Sequence, residues 1–150
     1  MTVPADHHAA FPAVIISSRA ARRLTGGFMW VYSNEIESRD EPDEPVYWCR
    51  FVHERRTVAI GYFNRHSLIA GRTVARGDAG DLNRLLEDRL LGAFSKRLPL
   101  EKGRSARLVF SEADLLPGLV VDYFPPDAVI QSNTAGMDLM LTRLTERLPV

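Results

Sequence analysis

The chain has one cysteine, Cys49, among its 150 residues, so no internal disulfide framework can hold it, and a lone thiol fits a reducing compartment. No apolar run approaches the roughly 18 residues needed to span a bilayer. The first basic side chain is Arg19, so the opening lacks the positive start of a secretory leader. Lysine is scarce too, with 17 of the 19 basic residues being arginine. Conventional catalytic signatures are missing: no nucleophile elbow, no phosphate-cradling glycine loop before a helix, no paired histidines at metal-ligand spacing. A cytoplasmic protein with no membrane partner and no metal is the expectation.

What is present is average for a globular protein. Hydrophobic residues make up 45% and charged residues 25%, enough to bury one good core or two small ones. Net charge is zero, but its distribution is uneven. Residues 1–80 hold ten Lys/Arg and nine Asp/Glu, and five of those acids crowd into Glu37–Glu44. Outside that segment the first half is basic, and arginine suits planar phosphate contacts. A genome that favours arginine codons would give the same count without any binding patch.

Residues 1–11 read as a tail, in which His7 and His8 are too few for a metal tract. Phe11–Ser17 is β-prone, Ser18 stands where a helix N-cap would be, and Gly26-Gly27 end that helix. An aromatic segment Phe28–Ile36 precedes a turn-rich acidic loop, Glu37–Pro45. Strands are expected over Val46–Val52, Thr57–Phe63 and Leu68–Ala75, a spacing that suggests a small barrel. Gly61 and Gly71 inside these patterns point to bulges or tight bends. The apolar period then changes to that of a helix. Leu82, Leu85, Leu86, Leu90, Phe94 and Leu98 predict an amphipathic helix over 81–98, capped by Asp81 and stopped by Pro99. Beyond it come a hairpin over 106–124, a strand over 128–132 and a closing helix over 136–148 with Met137, Met140, Leu141, Leu144 and Leu148 on one face.

Several residues invite chemistry. Cys49, between Trp48 and Arg50 in a strand pattern, reads more as a core thiol than as a nucleophile. His53 and His66 lie in turns without metal partners. Glu112 and Asp114 are placed to bond the backbone of their own turn more readily than to act as an acid/base pair. Arg19, Arg22 and Arg23 share a helical segment. Asn64-Arg65-His66-Ser67 is a polar turn followed by Arg72, and Trp30 or Tyr32 could stack a base. A solvated arginine face with Trp30 in a core is the competing account.

Three segments in order carry a resemblance. Arg22–Ile36 (RRLTGGFMWVYSNEI), Ala59–Arg72 (AIGYFNRHSLIAGR) and Arg107–Phe124 (RLVFSEADLLPGLVVDYF) together resemble the large-subunit rRNA cytosine-5 methyltransferases that join a PUA domain, a small mixed domain and a Rossmann-type catalytic domain. The resemblance implies a mixed α+β fold. A PUA-like β-pseudo-barrel would occupy residues 12–77, and a helix and small antiparallel α+β domain, begun and not completed, residues 78–150. It implies RNA partners, large-subunit rRNA above all, with Arg22, Arg23, Trp30, Asn64, Ser67 and Arg72 contacting RNA or shaping its surface. S-adenosylmethionine is expected only with a catalytic domain supplied in cis or in trans. Only 26 residues follow Phe124, and Cys49 does not match the family's catalytic cysteine, so no methyl transfer is expected of this chain alone. The sequence departs from the resembled pattern at Gly27-Phe28-Met29, where His-Pro precedes Trp, and at Leu115, where Gly is usual. A truncated or split methyltransferase-like protein, a stand-alone RNA-binding accessory, and a PUA-like interaction or homodimerisation module are the three readings left open.

Overall fold

The computed structural model describes residues 11–145, so the first ten residues of the expected tail, with His7 and His8, and the last part of the closing helix, with Leu148, lie outside the described residues. The chain forms two compact units, divided between Leu82 and Asn83.

The first unit runs β1 (Ala13–Ile16), α1 (Ser18–Thr25), β2 (Trp30–Val31), β3 (Ile36–Arg39), β4 (Val46–His53), β5 (Arg56–Asn64) and β6 (Gly71–Arg76). Its sheet has the order β2-β6-β5-β4-β1-β3, antiparallel except for the β1–β4 pair. The two outer strands are joined by the four residues Tyr32–Glu35, three of them in a 3-10 turn. Laid flat, six strands would put the outer pair about 24 Å apart, whereas five residue steps reach at most about 18 Å. The sheet must therefore curl into a half-barrel.

Helix α1 seals the interior. It is amphipathic: Ala20, Ala21 and Leu24 are buried, while Arg19 and Arg22 on the other side are exposed. They meet Val14 and Ile16 of β1 and Tyr47, Cys49 and Phe51 of β4 in one core. Burying Leu24, at 1% exposure, is worth about 2 kcal/mol. The helix cap is Ser17, not Ser18. Ser17 keeps extended backbone and its Oγ accepts the Ala20 N–H at 3.2 Å. Gly27, with φ +105°, supplies the left-handed turn after the helix.

Both strand glycines are required by close packing. The register of β5 on β6 shifts between Ile60 and Gly61, and a Cβ on Gly61 would lie 2.0 Å from the Arg72 carbonyl oxygen. At Gly71 the ring of Phe51 occupies the space, 2.5 Å from where a Cβ would be. The sequence places the start of β6 too early, because Leu68 stays outside the strand at 82% exposure. The acidic segment is also shorter than expected. Its first three residues, Glu37–Arg39, complete β3, which is held by pairing with β1.

The second unit contains α2 (Leu82–Ser95) from its second residue on, β7 (Ala106–Phe110), β8 (Leu119–Phe124), β9 (Asp127–Ser132) and α3 (Ala135–Thr145). The three strands form an antiparallel sheet in sequence order. Leu86, Leu90 and Ala93 form the buried stripe of α2, and Met137 and Met140 that of α3. Helix α2 ends three residues before the expected Leu98, which is exposed. The residue preceding a proline is pushed away from helical backbone. Thr134 caps α3, its Oγ1 accepting the Met137 N–H at 3.1 Å.

Candidate nucleic-acid interface

The turn after α1 sends Gly27–Tyr32 alongside β6. The Thr73 N–H donates to the Met29 carbonyl at 2.8 Å, and Trp30 pairs with Arg72. An extended segment puts alternate side chains on one face, and here these are Phe28, Trp30 and Tyr32. On β6, Arg72 pairs with Trp30, and beyond the register shift at Val74 Arg76 returns toward Gly27.

These side chains meet. The Arg72 guanidinium lies 5.3 Å from the Trp30 ring centre. Phe28 contacts Trp30 edge-on at 5.8 Å and Tyr32 at 6.4 Å. Arg76 reaches Gly27, where an added Cβ would come within 2.6 Å of its Nη2. Leu68 adjoins through its carbonyl, which accepts the Ser33 N–H at 2.9 Å.

Arg23 holds this strip from behind. Its guanidinium stands 4.4 Å from the Phe28 ring centre and 5.0 Å from that of Tyr32. Its Nη2 donates to the Trp30 carbonyl at 3.1 Å and to Glu35 Oε2 at 3.0 Å. Glu35 is buried at 8% exposure and also accepts the Tyr32 N–H at 3.0 Å. Its negative charge is thus matched by Arg23 and kept from the surface. The Arg23 Nε is buried without a hydrogen-bond partner among the described residues, a cost that the two cation–π contacts offset in part.

Of the six residues named from sequence, the structure joins Trp30, Arg72 and Arg23, and leaves Arg22 exposed on α1 beside Arg23. Asn64 builds its own turn: its Oδ1 accepts the His66 N–H at 3.0 Å, and its carbonyl accepts the Ser67 N–H at 3.3 Å. Arg65 is turned to the acidic loop, donating to the Pro42 carbonyl at 2.8 Å. Phe28, Arg76 and Glu35 were missed. The period-two spacing of Phe28, Trp30 and Tyr32 was the signal available for the first.

The other chemistry-bearing residues have structural roles. Cys49 is fully buried, and burial pushes its thiol well up from its ordinary value, which disfavours the nucleophilic thiolate. His53 clips the β4–β5 hairpin to the start of α1, its ring nitrogens lying 3.1 Å from the Ile16 carbonyl and 3.3 Å from Ser18 Oγ. No group of His, Cys, Asp and Glu that could hold a metal is found among the described residues. Within the second unit, Asp114 is a turn-builder. Its Oδ2 accepts the Phe110 N–H at 2.7 Å and pairs with Arg97 Nη2 at 2.9 Å. Burial would push its carboxyl up, but the bonds from Arg97 and Phe110 and the charges of Arg97 and Lys96 outweigh that and hold it below its ordinary value. Glu112 accepts the Ser111 hydroxyl. Leu115 takes the left-handed conformation, φ 59° and ψ 28°, that glycine would take without strain. A separate cavity of about 880 Å³ in this unit is chiefly apolar, lined by Phe94, Leu98, Val121, Tyr123 and Ile130 among others, with Glu101 and Lys102 its charged members.

Comparison with known proteins agrees with this architecture. A family described as a PUA-like domain matches residues 14–76, the span of the half-barrel. The fold is similar to that of a candidate SAM-dependent methyltransferase from Streptococcus mutans, at 11% identity and a TM-score of 0.73 over 90% of this chain. It is also similar to SMU.776, a candidate methyltransferase complexed with SAH, at 12% identity and a TM-score of 0.70 over 91% of this chain. The chain spans only 36% and 37% of those two structures. No curated protein matches the sequence. The chain is thus mixed α+β, with a PUA-like half-barrel and a further small α+β unit, and its fold is similar to part of these two structures. No helix among the described residues is long and apolar enough to cross a membrane.

Proposed function

We propose that this chain is the RNA-capturing portion of an rRNA cytosine-5 methyltransferase-like protein, with large-subunit rRNA as its partner and no methyl transfer of its own. The observation that carries this reading is the stack of Arg72 on Trp30, set in a strip with Phe28, Tyr32 and Arg76 whose acidic member, Glu35, is buried against Arg23. Cations spaced among aromatic faces are what RNA recognition uses, the cations for phosphate and the rings for bases. The catalytic domain, with its S-adenosylmethionine, would be supplied in cis or in trans.

The test is the salt dependence of binding to large-subunit rRNA fragments. Arg72→Ala should weaken binding and lower the slope of log K against log salt by about one. Absence of binding at about 50 mM salt, where phosphate contacts are strongest, would falsify the reading. The dimerisation alternative draws on Phe110 and Phe124 of the second unit, 50% and 51% exposed. A mass in solution that rises with concentration would favour it.

A further inference from the structure

The three rings of the strip are not equivalent. Trp30 carries Arg72, while Arg23 lies over both Tyr32 and, more closely, Phe28, so exposure is what sets the rings apart. Phe28 stands farthest out, 40% exposed, with Arg23 at 4.4 Å and Trp30 edge-on at an interplanar angle of 68°. It has no polar atom for a hydrogen bond, so only its hydrocarbon surface and π face can recognise anything. Its contacts with Arg23, Trp30 and Tyr32 fix the ring in advance, so little side-chain freedom is lost on taking a flat partner. At Gly27, the residue before it, the missing Cβ leaves room for the Arg76 guanidinium against the backbone.

An uninterrupted RNA duplex keeps its base faces stacked on one another and offers phosphates and 2′-hydroxyls instead. A strip of phosphate-binding cations alone would suit that target, and Phe28 would add nothing to it. We infer that Phe28 is a stacking platform for an unpaired nucleobase, with Arg76 beside it for the adjoining phosphate, so that RNA is taken at a single-stranded or looped position. This rests on the RNA-binding reading of the same surface.

The full chain would be titrated with an unstructured oligoribonucleotide of about ten nucleotides and with a blunt duplex of the same sequence. The single strand should bind more tightly at equal salt. Phe28→Leu keeps an apolar side chain against Arg23 but removes the π face. It should weaken single-strand binding about tenfold, leave the salt slope unchanged and leave duplex binding as it was, while Phe28→Trp should retain affinity. Tryptophan-monitored melting of each variant checks that the fold persists. If Phe28→Leu binds the single strand like the parent, or loses both probes equally, the platform is overturned while RNA binding stands. If neither probe binds at about 50 mM salt, both fall.

Discussion

Replacing Gly61 by alanine tests the curled sheet and the site it carries. The new Cβ would lie 2.0 Å from the Arg72 carbonyl oxygen and 2.8 Å from both the Arg72 carbonyl carbon and Thr73 Cα. Ordinary carbon contacts begin near 3.5 Å, so β6 must retreat by about 1.5 Å. All three atoms are backbone, and no side-chain rotation relieves the clash. A retreat of that size breaks about three ladder hydrogen bonds, each worth about 1 kcal/mol net. Alanine returns about 0.5 kcal/mol by restricting the unfolded chain, leaving a loss of about 2–3 kcal/mol. For a unit of this size the midpoint should fall by about 10–20 °C. Both tryptophans, Trp30 and Trp48, belong to this unit, so tryptophan emission during heating reports its unfolding. A control in the second unit, read by far-UV circular dichroism, is Gly92→Ala in α2, where a Cβ meets nothing within 4 Å and which should stabilise that unit by about 0.5–1 kcal/mol. If Gly61→Ala melts within about 3 °C of the parent, the close approach of β5 and β6 is wrong. The retreat would also move Arg72 off Trp30, so RNA affinity should fall with stability.

Asp114 makes the second unit sensitive to acid. Its carboxyl is held below the ordinary value of 3.8, so its contribution is complete above that pH and is lost as pH falls through the lower folded value. Asp114→Asn should lower the urea midpoint at neutral pH, by far-UV circular dichroism, and the gap to the parent should close on acidification below about pH 4; a constant gap refutes the assignment. At Leu115, held at φ 59°, a β-branched residue is strongly disfavoured, so Leu115→Val should cost about 1–2 kcal/mol. Leu115→Gly should stay within about 0.5 kcal/mol of the parent in the same urea titration, because relief of left-handed strain and loss of a half-buried side chain nearly cancel.

The parts of the fold legible in the sequence are those whose burial follows a period. The expected hairpin over 106–124 starts and ends where β7 and β8 do, and the leucine stripe of α2 is buried over its middle. What escaped depends on partners distant in sequence. Residues Glu37–Arg39 carry no apolar alternation and form a strand because β1 offers an edge to pair with. Ser17 and Ser18 are indistinguishable as caps until the backbone turns. Glu35 reads as the polar end of an aromatic segment, and only the return of Arg23 from α1 accounts for its burial. The site divides in the same way. Trp30 and Arg72 stand out by residue type, whereas Arg76 joins them only because β6 runs beside Gly27.

The two departures from the resembled sequence pattern differ in what they imply. At Leu115 the side chain changes but the backbone keeps the conformation of a glycine, so the turn that seats Asp114 on Arg97 is preserved at a local cost of about 1 kcal/mol. Such a change asks for nothing beyond tolerance by the fold. Phe28 is the opposite case. There Met29 takes the place of the proline and Phe28 that of the histidine, leaving 40% of a large apolar residue exposed with Arg23 drawn against it. The same ring buried would stabilise the unit by about 2 kcal/mol, so leaving it out forgoes part of that gain. Arg23 in turn has a buried Nε without a hydrogen bond. Stacking of a base on the exposed ring would recover the first of these two costs. On the proposed reading, the preference for unpaired RNA would lie in Phe28 and the general attraction for RNA in Arg72 and Arg76, two contributions that salt dependence would separate.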